Sequence, residues 1–106
     1  MPLHAQYTQF IAYPGQGKEL IAILMKANNI VSRAKGCRQY IINEDADNKD
    51  IIWVTELWDS EEEQIISQSM DGCRELATEA GLVLAAPPKQ IALKAITGKG
   101  LEVEMV

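Results

Sequence analysis

Histidine is almost missing from this 106-residue chain, which has only His4, and cysteine is scarce, with only Cys37 and Cys73. Catalytic zinc usually takes three protein ligands of the histidine, cysteine or carboxylate kind, and structural zinc takes four. One histidine and two distant cysteines, with no C-x-x-C pair, supply neither set, so no metal site is expected. No apolar run approaches the ~20 residues that a membrane span needs, so no membrane partner is expected either. The opening Met1-Pro2-Leu3-His4-Ala5-Gln6 has no basic region followed by an apolar one, so it does not read as a signal peptide. A cytoplasmic location follows as the expectation, with both cysteines reduced and buried, not bridged. Basic residues are also in deficit: 10 lysines and arginines face 15 acidic residues, a formal charge of −5. That balance offers no face for neutralising phosphates and excludes non-specific nucleic-acid binding. Gly15-Gln16-Gly17 lacks the rest of any phosphate-cradling fingerprint, and no nucleophile–base arrangement is visible.

What is present is an ordinary globular composition, 47% hydrophobic and 24% charged. The length suits one domain over residues 1–106, with a core at 5–97 and a tail at 98–106. A domain this small buries only about two thirds of the surface of its unfolded chain, so association would add useful burial.

Residues 5–13 are rich in aromatic and β-branched types and end at Pro14-Gly15, which reads as a first strand. From Gly17 to Lys35 the period changes. Leu20, Leu24, Ala27, Val31 and Ala34 recur at three- and four-residue steps, the spacing of one helical face. Arg33 and Lys35 would close the last turn and Gly36 would cap it. Residues 37–45 and 50–59 read as antiparallel strands joined by the short polar stretch 45–49. Ser60-Glu61-Glu62-Glu63 is a capping-box sequence in which Ser60 accepts from the Glu63 amide and the Glu63 side chain returns to the Ser60 amide. A short helix to about Ser69 should follow, then a second one capped by Asp71 and ended by Gly81. Lys89–Thr97 forms a fourth strand. The order β-α-β-β-α-β is the split β-α-β pattern of ferredoxin-like α+β folds, a four-stranded antiparallel sheet with helices on one face. The tail residues Leu101, Val103 and Met105 alternate with Glu102 and Glu104, as in a further half-buried strand.

The third strand has apolar groups on both sides. Ile51, Trp53, Thr55 and Leu57 share one parity, and Ile52, Val54, Glu56 and Trp58 share the other. The second strand shows a milder version, Cys37, Gln39, Ile41 and Asn43 against Arg38, Tyr40, Ile42 and Glu44. Helices cover one face of such a sheet, so the other keeps large apolar groups in need of cover. A second copy of the chain is the simplest cover, which predicts a homodimer.

The strand ending in Pro14-Gly15, the long helix, the Ala34-Lys35-Gly36-Cys37 stretch with Tyr40, and Glu56-Leu57-Trp58-Asp59-Ser60 opening a helix together resemble the antibiotic biosynthesis monooxygenase family. The resemblance covers about residues 5–97. It implies a homodimeric α+β barrel and a cofactor-independent oxygenase of a small aromatic phenol or quinol. Many members carry histidines at positions that the resemblance matches to Ser67 and Gly72 of this chain. The haem-degrading relatives have a tryptophan and an axial histidine at the positions of Ser67 and Ala77, which disfavours a haem-degrading reading.

Tyr7, Tyr13, Tyr40, Trp53 and Trp58 all lie on strands and could wall a planar pocket, with Tyr7 and Trp53 as substrate contacts. By the resemblance, Trp58 is the tryptophan near the oxygenase pocket. Tyr40 could bond a substrate oxygen, and Glu56, two residues from Trp58 on the same face, is the candidate base. Glu56 could instead pair with Arg38 or Arg74. Glu61, Glu62 and Glu63 read as a solvated helix start and not as catalytic acids. A non-catalytic dimeric binding or stress-response module of the same fold remains the alternative.

Overall fold

The computed structural model describes residues 2–101. The expected tail strand beyond Leu101 therefore lies outside the described residues. The elements are β1 (Leu3–Ile11), α1 (Gly17–Val31), β2 (Cys37–Glu44), β3 (Ile51–Trp58), α2 (Glu61–Ser67), α3 (Cys73–Val83) and β4 (Lys89–Ala95). They form one four-stranded antiparallel sheet in the order β2-β3-β1-β4. This is the ferredoxin-like α+β arrangement expected from the alternation of strand and helix periods.

The core lies between the sheet and α1 and α3. Leu20 and Leu24 of α1, Ile52 and Val54 of β3, Ala12 and Ala80 are buried together, with Phe10 and Ile42 packed against them. Leu20 and Ile52 are fully buried. The helical stripe read from the sequence is thus the stripe that meets the β3 residues of even number.

The N-terminus of α1 is capped from elsewhere in the chain. Gln16 makes no side-chain cap. Instead the Asp50 carboxylate, just before β3, accepts from the Gly15 and Gly17 amides at 3.1 and 3.0 Å. A Cβ at position 17 would collide with the carbonyl oxygen of Lys49, so the close approach of this loop requires glycine.

Several element ends differ from the sequence reading: β1 starts and stops two residues earlier, β4 ends at Ala95 and not Thr97, and three helix ends move. The first helix stops at Val31, not Lys35, because the Arg33 and Ala34 amides turn to the Ile30 and Val31 carbonyls. Arg33 and Lys35 consequently lie beyond its last turn, and Gly36, at φ +87°, swings the chain into β2. The last helix is capped by Gly72, at φ +94°, not by Asp71. It also passes through Gly81 to Val83, because there the chain leaves for the sheet: Ala12 bridges Leu84, and the Tyr13 amide donates to the Val83 carbonyl at 2.8 Å. The capping box is half formed. The Glu63 amide donates to Ser60 Oγ at 3.2 Å, but the Glu63 carboxylate accepts from the Ser60 hydroxyl at 2.9 Å.

The sheet face away from the helices is apolar and open. Tyr7, Ile41, Ile91 and Leu93 are each more than two-fifths exposed there. Among the described residues, no helix is long and apolar enough to cross a membrane.

Candidate functional site

Strand register assembles the site. In the sheet, Gln6 of β1 and Tyr40 of β2 both stand opposite Glu56 of β3, and His4 stands opposite Trp58. Opposed residues in antiparallel strands share a face. Four residues from two distant segments, His4, Gln6, Glu56 and Trp58, therefore sit side by side, with Tyr40 flanking them from a third strand.

Their side chains form a chain of hydrogen bonds. Trp58 Nε1 donates to Glu56 Oε1 at 3.1 Å. Gln6 Nε2 donates to Glu56 Oε2 at 3.4 Å. Gln6 Oε1 in turn lies 3.3 Å from His4 Nε2. All four residues are buried, and Trp58 completely so. At the outer end, His4 Nδ1 is 4.0 Å from the exposed Glu61 carboxylate.

This face forms the floor of a cavity of about 470 Å³ roofed by the helices. Its walls include Phe10, Leu24, Val31 and Leu76, with Tyr40 and Glu56 on the floor. The volume falls within the usual range for small-molecule sites, and a mostly apolar wall with few polar groups is their usual make-up. Among the described residues, Glu56 and Arg74 are the charged ones on that wall.

Burial pushes the Glu56 carboxyl above its ordinary value, against the opposing pull of the Trp58 hydrogen bond, the His4 charge and the Gln6 hydrogen bond. Removing a carboxylate from water disfavours its charged form, which makes it a readier proton acceptor than a surface glutamate. The Tyr40 phenol is also pushed up, by burial first and then by Glu56, Cys73 and Cys37. Tyr40 thus stays protonated and able to donate. Cys37 and Cys73 are free thiols. Burial leads in raising both, with Glu56 adding to Cys37 and Glu75 to Cys73.

The sheet separates the aromatic residues that the sequence suggested for one pocket. Tyr40, Glu56 and Trp58 point toward the helices. Tyr7 and Trp53 have the opposite parity: Tyr7 opposes Thr55 and Ile91, and Trp53 opposes Gln9 and Asn43. Trp53 Nε1 instead faces Asp45 Oδ1 at 3.4 Å. Neither Tyr7 nor Trp53 lines the helix-side cavity, and Trp58, which does not line it either, supports Glu56 from the same sheet face. Arg38 Nε lies 2.6 Å from Asp59 Oδ1.

His4 and Gln6 escaped the sequence reading because each is an isolated polar residue in a first strand of mixed character. Only the β1–β3 register places them beside Glu56 and Trp58. Ser67, where many family members carry histidine, does line the cavity, but its hydroxyl donates to the Gln64 carbonyl at 2.6 Å. Among the described residues, no three histidine, cysteine or acidic side chains stand together as a metal cluster.

Comparison with known proteins agrees with this architecture. A structure from Chloroflexus aurantiacus, assigned to the antibiotic biosynthesis monooxygenases, superposes with a TM-score of 0.82 at 30% identity, covering 92% of this chain and 97% of that one. A Nitrosomonas europaea structure with the same assignment reaches a TM-score of 0.86 at 10% identity, covering 92% and 94%. A Mycobacterium tuberculosis structure gives 0.82 at 19% identity, covering 92% and 99%. At these lower identities the likeness concerns the fold alone. No curated protein matches the chain. The family model for antibiotic biosynthesis monooxygenases matches residues 4–78, a span that includes His4, Gln6, Tyr40, Glu56 and Trp58, and the chain belongs to that family.

Proposed function

We propose that this protein is a cofactor-independent monooxygenase acting on a small phenol or quinol held between the sheet and the helices. The observation that carries this reading is the buried Glu56 carboxylate on the floor of an apolar cavity, held by Trp58 and Gln6 and raised above its ordinary value. A planar ring would lie against the apolar walls, with its hydroxyl toward Glu56 and Tyr40. Glu56 takes the phenolic proton, and the Tyr40 hydroxyl donates to the resulting oxyanion. The electron-rich ring carbon then bonds to dioxygen, and the peroxide oxygen takes the proton back from Glu56. Loss of water from the ring hydroperoxide leaves a quinone. One oxygen atom ends in the product and the other in water, so the electrons balance without a further reductant.

A second reading has its own support. Ser67 lines the cavity where the resemblance leads one to expect a histidine in many members, and Ala77 lines it where the haem-degrading relatives carry their axial histidine. A non-catalytic ligand-binding module would use the same cavity with Glu56 as a hydrogen-bond acceptor. Oxygen uptake with a panel of reduced quinones and phenols decides between them. Uptake that is lost in Glu56→Gln supports the oxygenase, whereas saturable binding without uptake supports the module.

The open sheet face supports a homodimer, because Tyr7, Ile41, Ile91 and Leu93 form an apolar surface that a second copy would cover. In this reading Tyr7 and Trp53 belong to the subunit interface and not to the pocket.

A further inference from the structure

The hydrogen-bond chain from Glu56 does not stop at the cavity. It continues through Gln6 to His4 and ends beside a solvent-exposed carboxylate. A glutamine amide in the middle of such a chain has two distinct ends, a donor and an acceptor. Its orientation therefore depends on what each neighbour offers. With Glu56 ionised, the Gln6 amide must turn its N–H toward the carboxylate and its oxygen toward His4, which must then carry a proton on Nε2. With Glu56 protonated, the reverse arrangement is satisfied: Glu56 donates to the Gln6 oxygen, and the Gln6 N–H donates to a bare Nε2. A buried donor or acceptor left unmatched costs more than a made hydrogen bond gains, so mixed arrangements are disfavoured.

We infer that His4 is a positioning residue for Glu56 and acts through the Gln6 amide. An N–H at His4 Nε2 holds that amide with its own N–H on the Glu56 carboxylate, and a proton arriving at Glu56 reverses the amide and leaves Nε2 as the acceptor. The two ends are thus linked by the orientation of the Gln6 amide. Glu61, 4.0 Å from Nδ1 and mostly exposed, sits at the outer end of the chain.

The other groups around Glu56 are few. From β2 it is faced by Tyr40 and Cys37, while Arg38, at the bulge, lies 2.6 Å from Asp59. From α3, Cys73 and Arg74 line the same cavity, while the residues of α1 and α2 that line it are uncharged. From β4, Lys94 stands opposite His4 and Ala92 opposite Gln6. None of these bonds to the Gln6 amide, so His4 is the neighbour that sets its orientation.

The consequence for catalysis rests on Glu56 being the base, but the linkage can be measured without any substrate. The indole N–H of Trp58 donates to Glu56 and reports its protonation in a proton–nitrogen NMR titration of the full chain. Trp53, bonded to Asp45 on the opposite face, is the internal control. Gln6→Met should raise the Glu56 midpoint by roughly half to one pH unit, the worth of one lost hydrogen bond. His4→Gln should also raise it, because an amide at position 4 pairs with either orientation of Gln6 and imposes neither. His4→Phe serves as a second probe of the same point. In the Gln6→Met background either His4 substitution should raise the midpoint clearly less than in the parent, only by the direct pull of the His4 charge. Full additivity would mean that His4 acts through that charge alone, and would overturn the inference. So would an unmoved midpoint in Gln6→Met. A shift of the expected kind in a protein that oxidises no quinol leaves the linkage standing and removes the oxygenase reading.

Discussion

Glu56 and Trp58, two residues apart on one face of β3, are joined by a hydrogen bond from the indole Nε1 to the carboxylate Oε1 at 3.1 Å. Trp58 is fully buried and does not line the cavity, so its N–H needs an internal partner, and Glu56 is that partner. The Glu-x-Trp element is therefore one unit. The tryptophan fixes the carboxylate from beside it on the same sheet face, and the carboxylate meets the cavity from its floor.

The pH dependence of stability follows from the raised Glu56 carboxyl. A carboxyl whose folded value exceeds its unfolded value of about 4.3 contributes most stability below that value and loses it as pH rises through the folded one. Glu56→Gln removes this loss. Its stability relative to the parent should be greater at pH 7.5 than at pH 4, as read by urea denaturation at both. A relative stability that falls as pH rises would contradict the burial argument.

Trp58 should separate packing from chemistry. Trp58→Ala is expected to cost roughly 3–5 kcal/mol through the cavity it leaves. Trp58→Phe fills most of that space but removes the N–H, so it should cost less, raise the Glu56 midpoint and shift any quinol-oxidation profile to higher pH. Circular dichroism establishes folding before rates are compared. An unchanged profile in folded Trp58→Phe would leave the tryptophan a purely structural part.

The open sheet face yields a mass prediction. Light scattering at low micromolar concentration should show twice the 11.7 kDa of one chain. Ile91→Lys, on a residue 49% exposed in the single chain, should return it to the monomer mass with its circular dichroism intact. A parent protein that already scatters as a monomer sinks the interface.

The loop before β3 should prove as important to α1 as a local cap. Asp50→Ala is expected to cost about 1 kcal/mol, the usual worth of a lost N-cap. Gly17→Ala should destabilise as well, although alanine is intrinsically the better helix former by about 1 kcal/mol, because its Cβ meets the Lys49 carbonyl. Thermal melts of both variants provide the check, and a stabilised Gly17→Ala would show that the loop can move aside.

The sequence by itself determined the order of elements, because residue period is local. Leu20, Leu24, Ala27 and Val31 mark a helix whatever surrounds them, and the alternation along residues 51–58 marks a strand with two apolar faces. It also singled out Tyr40, Glu56 and Trp58, which carry their family resemblance within a short stretch. Helix ends were less legible where tertiary contacts set them. α1 takes its cap from Asp50, 33 residues away in sequence, and α3 ends where Leu84 finds Ala12. Parity along the third strand already set Trp53 apart from Glu56, but tertiary structure alone decided which face of the sheet the helices cover and, through register, that Tyr7 stands apart from Tyr40. It alone brought His4 and Gln6 to the carboxylate as well. The physical reason is that a strand's pattern specifies two faces but not its register against a partner. A slip of one residue between β1 and β3 would have turned His4 and Gln6 to the opposite face, with little trace in the sequence.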